Sequence, residues 1–231
     1  MTEAVPRGEA PGRVAGGRGE YVADAVLFDM DGTLVDSTAI VEAAWGRFAD
    51  RFGLNVETIL AYSHGRQTLD TACAFAPEGA DPDEAAADLH EWELVHTEGI
   101  IEVHGAAALV RALRGARVAV VTSAPRDLAV LRLRAAGIDV PDVLVCAEDV
   151  TAGKPDPAGY LLAASALGVT ADRCIVFEDA DAGIRAALAS GAQTIVVGDV
   201  HSEATRPLDR VRDFSAISVG LDADGTVRLR L

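Results

Sequence analysis

Cysteine, aromatic residues, positive charge and long apolar runs are all scarce in this chain, and each shortage excludes something. The 3 Cys, at positions 73, 146 and 174, are odd in number and form no Cys-x-x-Cys pair. A disulfide framework is therefore not expected, and a reducing, cytoplasmic setting is. The 5 His are scattered, and none lies in a His-Glu-x-x-His pattern, so no zinc site is read from them. Lys and Arg number 20 against 36 Asp and Glu, a formal net charge of -16. Nucleic acids and anionic membranes both call for basic surfaces, so neither is an expected partner. A small anionic substrate remains compatible, because a bound cation reverses the field inside one pocket. No run reaches the about 18 apolar residues that span a bilayer. Residues 1–20 are rich in Gly, Pro and Arg and lack an apolar h-region, so they read as a disordered tail and not as a secretory signal.

Apolar material is nonetheless ample. Hydrophobic residues make up 50% of the chain and aromatics 5%, so a sizeable core is expected from Ala, Val and Leu. Short, nearly continuous apolar runs occur at Ala25–Phe28, Val118–Val121, Val143–Cys146, Cys174–Phe177 and Thr194–Val197. Such runs suit strands buried on both faces of a parallel sheet. Helical patterns lie between them. Ala124–Gly137 has apolar Leu128, Leu131 and Ala135 on one face, and Asp156–Gly168 and Asp181–Gly191 also close on the glycine that ends many helices. The alternation predicts an α/β fold with a Rossmann-like, three-layer core.

Between Phe28 and Val118 the rhythm stops. Ser37–Gly53 is an amphipathic helix with Ile40, Val41, Ala44, Trp45, Phe48 and Phe52 on its apolar face. Thr58–Cys73 and Asp83–Glu98 also read as mostly helical, with Pro82 suited to a first turn. Residues 37–102 are thus expected to form a helical cap inserted into a core of residues 21–36 and 103–231.

Asp-x-Asp-Gly-Thr occurs twice, at Asp29–Thr33 and Asp222–Thr226. The first follows a buried strand, where open α/β sheets bind ligands. The second precedes the alternating Thr226–Leu231, and its Asp-Gly pair signals a β-hairpin at the C-terminal end. One site and one turn are expected. At the first copy, one carboxylate can attack while the other handles the proton. Gly32 supplies a bend, and the Thr33 hydroxyl can donate to a carboxylate.

Three more strand ends strengthen that reading. Thr122 and Ser123 can hold phosphate oxygens through hydroxyl and backbone N–H groups. Lys154 can neutralise a phosphate and orient Asp29. Glu178 and Asp179 follow the fourth run. Asp29, Asp31, Glu178 and Asp179 beside a phosphate would repel by roughly 4 kcal/mol per close pair at moderate dielectric. Oxygen-only ligands in that setting call for Mg²⁺. Gly153-Lys154-Pro155 is no Walker A loop, since Pro155 stands where Ser or Thr is needed.

With "DMDGT", "VVTS", "GKPDP" and "FEDADAG" in that order, the sequence resembles the haloacid dehalogenase-like superfamily from about Val26 to Val197. The resemblance implies a Rossmann-like core with a cap after the first strand, Mg²⁺ and an aspartyl-phosphate. It makes Asp29 the nucleophile and Asp31 the acid/base, with Thr122 and Lys154 on phosphate. Asp29 and Asp179 would bind metal by carboxylate and Asp31 by its carbonyl, with Glu178 either behind these ligands or reaching the metal by way of a water. "DGTLVDSTAIVEAAWGRFADRFGL", "SHGRQTLDT" and "TEGI" look like sugar- and hexitol-phosphate phosphatases, the 2-deoxyglucose-6-phosphate type included. The implied substrate is a small phosphorylated sugar or polyol, and the implied state a monomer or weak homodimer. Mutases of the β-phosphoglucomutase type are the alternative, but they carry a His where this chain has Val41. Dehalogenases lack the second Asp that Asp31 supplies. Asp181 adds an acid where relatives often have a neutral residue. In the cap, His64, Gly65 and Arg66 are expected to face substrate, Arg66 through its fork of donors.

Overall fold

A computed structural model describes residues 19–231; the expected tail lies outside them up to residue 18. Strand β1 (Glu20–Ala23) comes first, then β2 (Ala25–Phe28) and the short β3 (Val35–Asp36). Four helices come next: α1 (Thr38–Phe52), α2 (Val56–Ser63), α3 (Thr68–Phe75) and α4 (Pro82–Leu94). The chain returns through β4 (Ile101–Glu102), α5 (Ala106–Ala112), β5 (Arg117–Val121), α6 (Arg126–Ala135) and β6 (Val143–Val145). Then come α7 (Ala158–Ala166), β7 (Cys174–Glu178), α8 (Asp181–Ser190) and β8 (Gln193–Val197). β9 (Arg210–Val211), β10 (Ser218–Leu221) and β11 (Val227–Arg230) complete it.

The main sheet is parallel, in the order β6-β5-β2-β7-β8-β9. Strands added after β2 run to one side and then to the other, so the order reverses at β2. A crevice at the carboxyl end of such a switch strand is where this architecture binds ligands. β2 is buried on both faces. Ala25 and Leu27 pack with Tyr160, Ala163 and Ala186 of α7 and α8, while Val26 and Phe28 pack with Leu109, Leu128 and Leu133 of α5 and α6. This is the expected three-layer α/β core, and the five apolar runs are five of its six main strands. β9 and β1 were not anticipated. Tyr21, at the edge of the expected tail, pairs with Leu229 in a three-stranded antiparallel sheet, β1-β11-β10.

The inserted helices have a core of their own, with Ala44, Trp45, Phe48, Ile59, Ala72, Ala85 and Leu89. Trp45 meets Phe48 edge-on at 5.4 Å. The helical stretch read over Thr58–Cys73 is two helices, broken where Gly65 takes φ of +74°. The stretch read to Glu98 stops at Leu94, and its start is capped by Asp81, which accepts from the N–H groups of Asp83 (3.0 Å) and Glu84 (3.4 Å). Entry and exit of the insertion are held together by β3 and β4, with Val35 opposite Glu102 and Asp36 opposite Ile101. Among the described residues no helix is long and apolar enough to cross a membrane.

Candidate active site

Asp29 leaves the end of β2 buried, its N–H bonded to the Phe177 carbonyl at 3.0 Å. That bond ties the ends of β2 and β7 together and sets Asp29 beside Glu178 and Asp179. Lys154 lies between them. Its Nζ makes a short contact with Asp29 Oδ1 and donates to Glu178 Oε1 at 2.8 Å. Tyr160 also donates to Glu178 Oε1, at 3.1 Å, and the Ala180 N–H reaches Glu178 Oε2 at 2.8 Å. Both oxygens of Glu178 are therefore engaged within the protein. Thr33 donates to Asp179 Oδ1 at 3.0 Å, as its position suggested.

Two glycines make this crowding feasible. A Cβ on Gly32, whose φ is +84°, would lie 2.0 Å from Asp179 Oδ2. A Cβ on Gly183 of α8 would lie 1.4 Å from Glu178 Oε1. Side chains at either place would displace an acid from the cluster.

The charges do not balance locally. Asp29, Glu178 and Asp179 each offer an oxygen within 4.8 Å of the others, and Lys154 is the cation among them. Burial pushes the Asp29 carboxyl up to about 7, with Lys154 opposing and Glu178 adding. Asp179 is held well above the usual carboxylate range by burial, then by the charges of Asp29 and Glu178. Burial pulls the Lys154 ammonium down, but Asp29 and Glu178 outweigh it and hold it well above the ordinary lysine value. A cluster of hard oxygen donors with excess negative charge fits a divalent Mg²⁺. Asp181 stands apart from that cluster and accepts from Arg185 Nε at 2.6 Å.

Asp31 has a different setting. Ser37 donates to its Oδ1 at 2.7 Å, and Arg132 Nη1 to its Oδ2 at 2.9 Å. Arg132 Nη2 continues to Glu93 Oε1, on cap helix α4, at 2.6 Å. Both Arg132 and Glu93 are buried. The buried face of α6 is accordingly Leu128, Ala129, Arg132 and Leu133. That corrects the expected face, because Leu131 is only half-buried and Ala135 is exposed; two carboxylates draw the arginine inward. Ser37, Glu93, Arg132, Tyr160 and Gly183 were not anticipated as site residues. Glu178 at the end of β7, with a glycine in the first turn of α8, was the available signal for Gly183.

Thr122 and Ser123 come directly after β5 and line the same cleft of about 190 Å³ as Asp29, Asp31 and Asp179. The Thr122 oxygen accepts from the Ala124 N–H at 3.1 Å. Ser123 Oγ donates to the Gly65 carbonyl at 2.9 Å, a link from core to cap. Gly65 fits there because a Cβ would press on Ala180 Cβ at 2.8 Å. His64, Gly65 and Arg66 all line the cleft, and the Arg66 guanidinium lies 4.5 Å from the centroid of the Tyr62 ring. Val41, Trp45, Leu89 and Leu128 give the cleft an apolar wall.

Residues 23–191 match the family model described as haloacid dehalogenase-like hydrolase. The chain belongs to this hydrolase family. It is 43% identical over 175 residues to hexitol phosphatase A of Escherichia coli, covering 74% of this chain and 81% of that one. It is 36% identical over 183 residues to glycerol-1-phosphate phosphohydrolase 2 of Saccharomyces cerevisiae, covering 74% and 73%. The crystal structure of CbbY from Rhodobacter sphaeroides superposes with a TM-score of 0.73 over 84% of this chain and 96% of that one. At 24% identity, that likeness speaks for the fold alone.

Proposed function

We propose that this hydrolase is a phosphatase of small sugar or sugar-alcohol phosphates that works through an aspartyl-phosphate and requires Mg²⁺. The observation that carries this reading is Lys154 clamped between Asp29 and Glu178, with Asp179 beside them, buried at the carboxyl end of the switch strand. The likeness to phosphatases of hexitol and glycerol phosphates supports the substrate class. A cytoplasmic monomer or weak homodimer is the accompanying expectation.

Asp29 and Asp179 would hold Mg²⁺ through their carboxylates, Asp31 through its backbone carbonyl and Glu178 by way of a water. When bound, the ion neutralises charge on the phosphate and the acids around it. Asp29 attacks phosphorus, and the bond to the sugar oxygen breaks as Asp31 gives that oxygen its proton. Asp31 then takes a proton from water, whose oxygen attacks phosphorus. Inorganic phosphate leaves, and Asp29 is restored. Lys154, the Thr122 hydroxyl and the Ser123 N–H stabilise the equatorial oxygens. The cap excludes bulk water, with His64, Gly65 and Arg66 against the substrate's hydroxyl end.

A phosphate-release screen over sugar, polyol and glycolytic phosphates tests this, with Mg²⁺ or with EDTA. Turnover of polyol or sugar phosphates is expected with Mg²⁺ alone. Hydrolysis that survives EDTA would overturn the metal requirement, and silence across the panel would overturn the activity.

A further inference from the structure

Arg132 is the buried cation of the site that the proposed chemistry leaves without a role. It belongs to core helix α6, yet its fork is divided between two acids from different parts of the chain. Nη1 holds Asp31 in the core at 2.9 Å, and Nη2 holds Glu93 in the cap at 2.6 Å. Its Nε is buried without a partner. Stability alone is a poor account of this arrangement. Arg132 and Glu93 lose their hydration in this row and Asp31, part-exposed, loses some of its own, and well-packed apolar side chains often do as well as or better than a buried ion pair. Leu128 and Leu133 of α6 and Leu89 of α4 are already buried apolar side chains on the two helices that carry the row.

The row also sits in a seam. Helices α4 and α6 meet there, and a second polar link crosses it nearer the solvent, His90 Nε2 to Asp127 Oδ2 at 3.0 Å. On the other side of Asp31 stands Ser37, immediately before cap helix α1. Both oxygens of Asp31 are therefore held by groups tied to the cap. One is attached through the chain, the other through Arg132 and Glu93.

We infer that Arg132 is a positioning residue for Asp31, and that Glu93 makes this positioning depend on the cap. With α4 seated on α6, the planar fork is fixed at both ends and aims Asp31 at one place. With α4 withdrawn, Glu93 goes with it, and the fork keeps only one of its two anchors. Proton delivery to the departing oxygen is thereby confined to the seated cap. The inference rests on the reading of Asp31 as the acid/base.

Leaving groups separate the two ideas. A sugar or polyol oxygen must be protonated as it departs, whereas 4-nitrophenolate departs as a stable anion. The enzyme with Mg²⁺ is mixed rapidly with a polyol phosphate or with 4-nitrophenyl phosphate, and phosphorylation of Asp29 is monitored by chemical quench. In Arg132→Lys, a point charge replaces the fork but a cation remains. Phosphorylation from the polyol phosphate is expected to slow about 10²-fold, at the lower end of what acid catalysis contributes. The nitrophenol burst is expected to stay within about 3-fold, and steady-state loss to fall on kcat with KM unchanged. Glu93→Gln cuts the cap's charge from the row and leaves Arg132 and Asp31 in place; the same selective loss, smaller in size, is expected. This second variant decides the matter if the first is unstable. Equal slowing of both substrates, or no slowing of either, overturns the inference. A wild-type enzyme that releases no phosphate from either compound instead overturns the proposed function.

Discussion

Gly32 and Gly225 occupy the same place in two segments that read Asp-x-Asp-Gly-Thr, and their φ angles are +84° and +85°. Around Gly32 the chain is walled in by Asp179, with Asp29 and Lys154 buried nearby. Around Gly225 the nearest foreign atom to an added Cβ is the Gly115 carbonyl oxygen, 4.0 Å away. The second copy is a turn between β10 and β11. Asp222 N–H reaches the Thr226 carbonyl at 2.9 Å, Asp224 accepts from the Thr226 N–H at 3.0 Å, and exposed Arg228 holds the Asp222 carboxylate at 2.8 Å. Four shared letters and one backbone angle thus specify only a bend. The environment into which the bend is set, a switch crevice or an edge hairpin, decides whether the acids face each other or face water.

Substitutions in matched pairs test that contrast. Asp29→Asn should lower phosphate release at least about 10⁴-fold, the scale of losing a nucleophile, and Asp222→Asn should leave it within about 2-fold, inside the usual reach of a surface change. Comparable losses from both would mean that the hairpin takes part in catalysis. The counter-ions come next. Lys154→Met strands two buried carboxylates and should cost about 3–5 kcal/mol in urea unfolding. Arg228→Met exposes an already hydrated acid and should leave the unfolding midpoint unmoved.

The glycines give a smaller difference of a different kind. Gly32→Ala should push Asp179 aside and lower kcat/KM by about 10²-fold, as ångström-scale misplacement in a site can. Gly225→Ala should cost about 1–2 kcal/mol through its left-handed backbone and leave the kinetics alone. The smallest effect concerns pH. The Thr226 backbone N–H, then its hydroxyl, holds the Asp224 carboxyl below the usual range. A depressed acid stabilises the fold above its unfolded value and stops doing so as pH falls through its folded value. Carbon-13 NMR should therefore find Asp224 titrating below an unfolded aspartate. The Asp224→Asn variant should approach the parent in stability as the pH is lowered through that range.

The same dependence on surroundings explains what could be read from the residues. The runs at Ala25–Phe28 and Cys174–Phe177 announce strands because they are apolar on both faces, a local property. The acids after them are recognisable because strand ends put them on one edge. β1 is a strand only because residues far along the chain, Val227–Arg230, lie beside it. Arg132 was invisible for a related reason. In "LAVLRLRAAG" nothing local separates Arg132, buried on two carboxylates, from Arg134, which faces solvent. The cap residues His64, Gly65 and Arg66 were legible through the segment "SHGRQTLDT", whereas the break at Gly65 that displays them was read as continuous helix. Their place at the cleft came from Gly65 fitting against Ala180, which no local pattern foretells.

The paired strands β3 and β4 carry a consequence for the molecule's modular design. Because Val35 and Asp36 are bonded side by side to Glu102 and Ile101, the insertion departs and returns at a single doorway. Lengthening, exchanging or excising the helices between those strands would add little loop-closure entropy to what the ribbon already meets. A short turn joining Asp36 to Ile101 should leave the six-stranded sheet able to fold, a stripped core onto which other lids could be grafted.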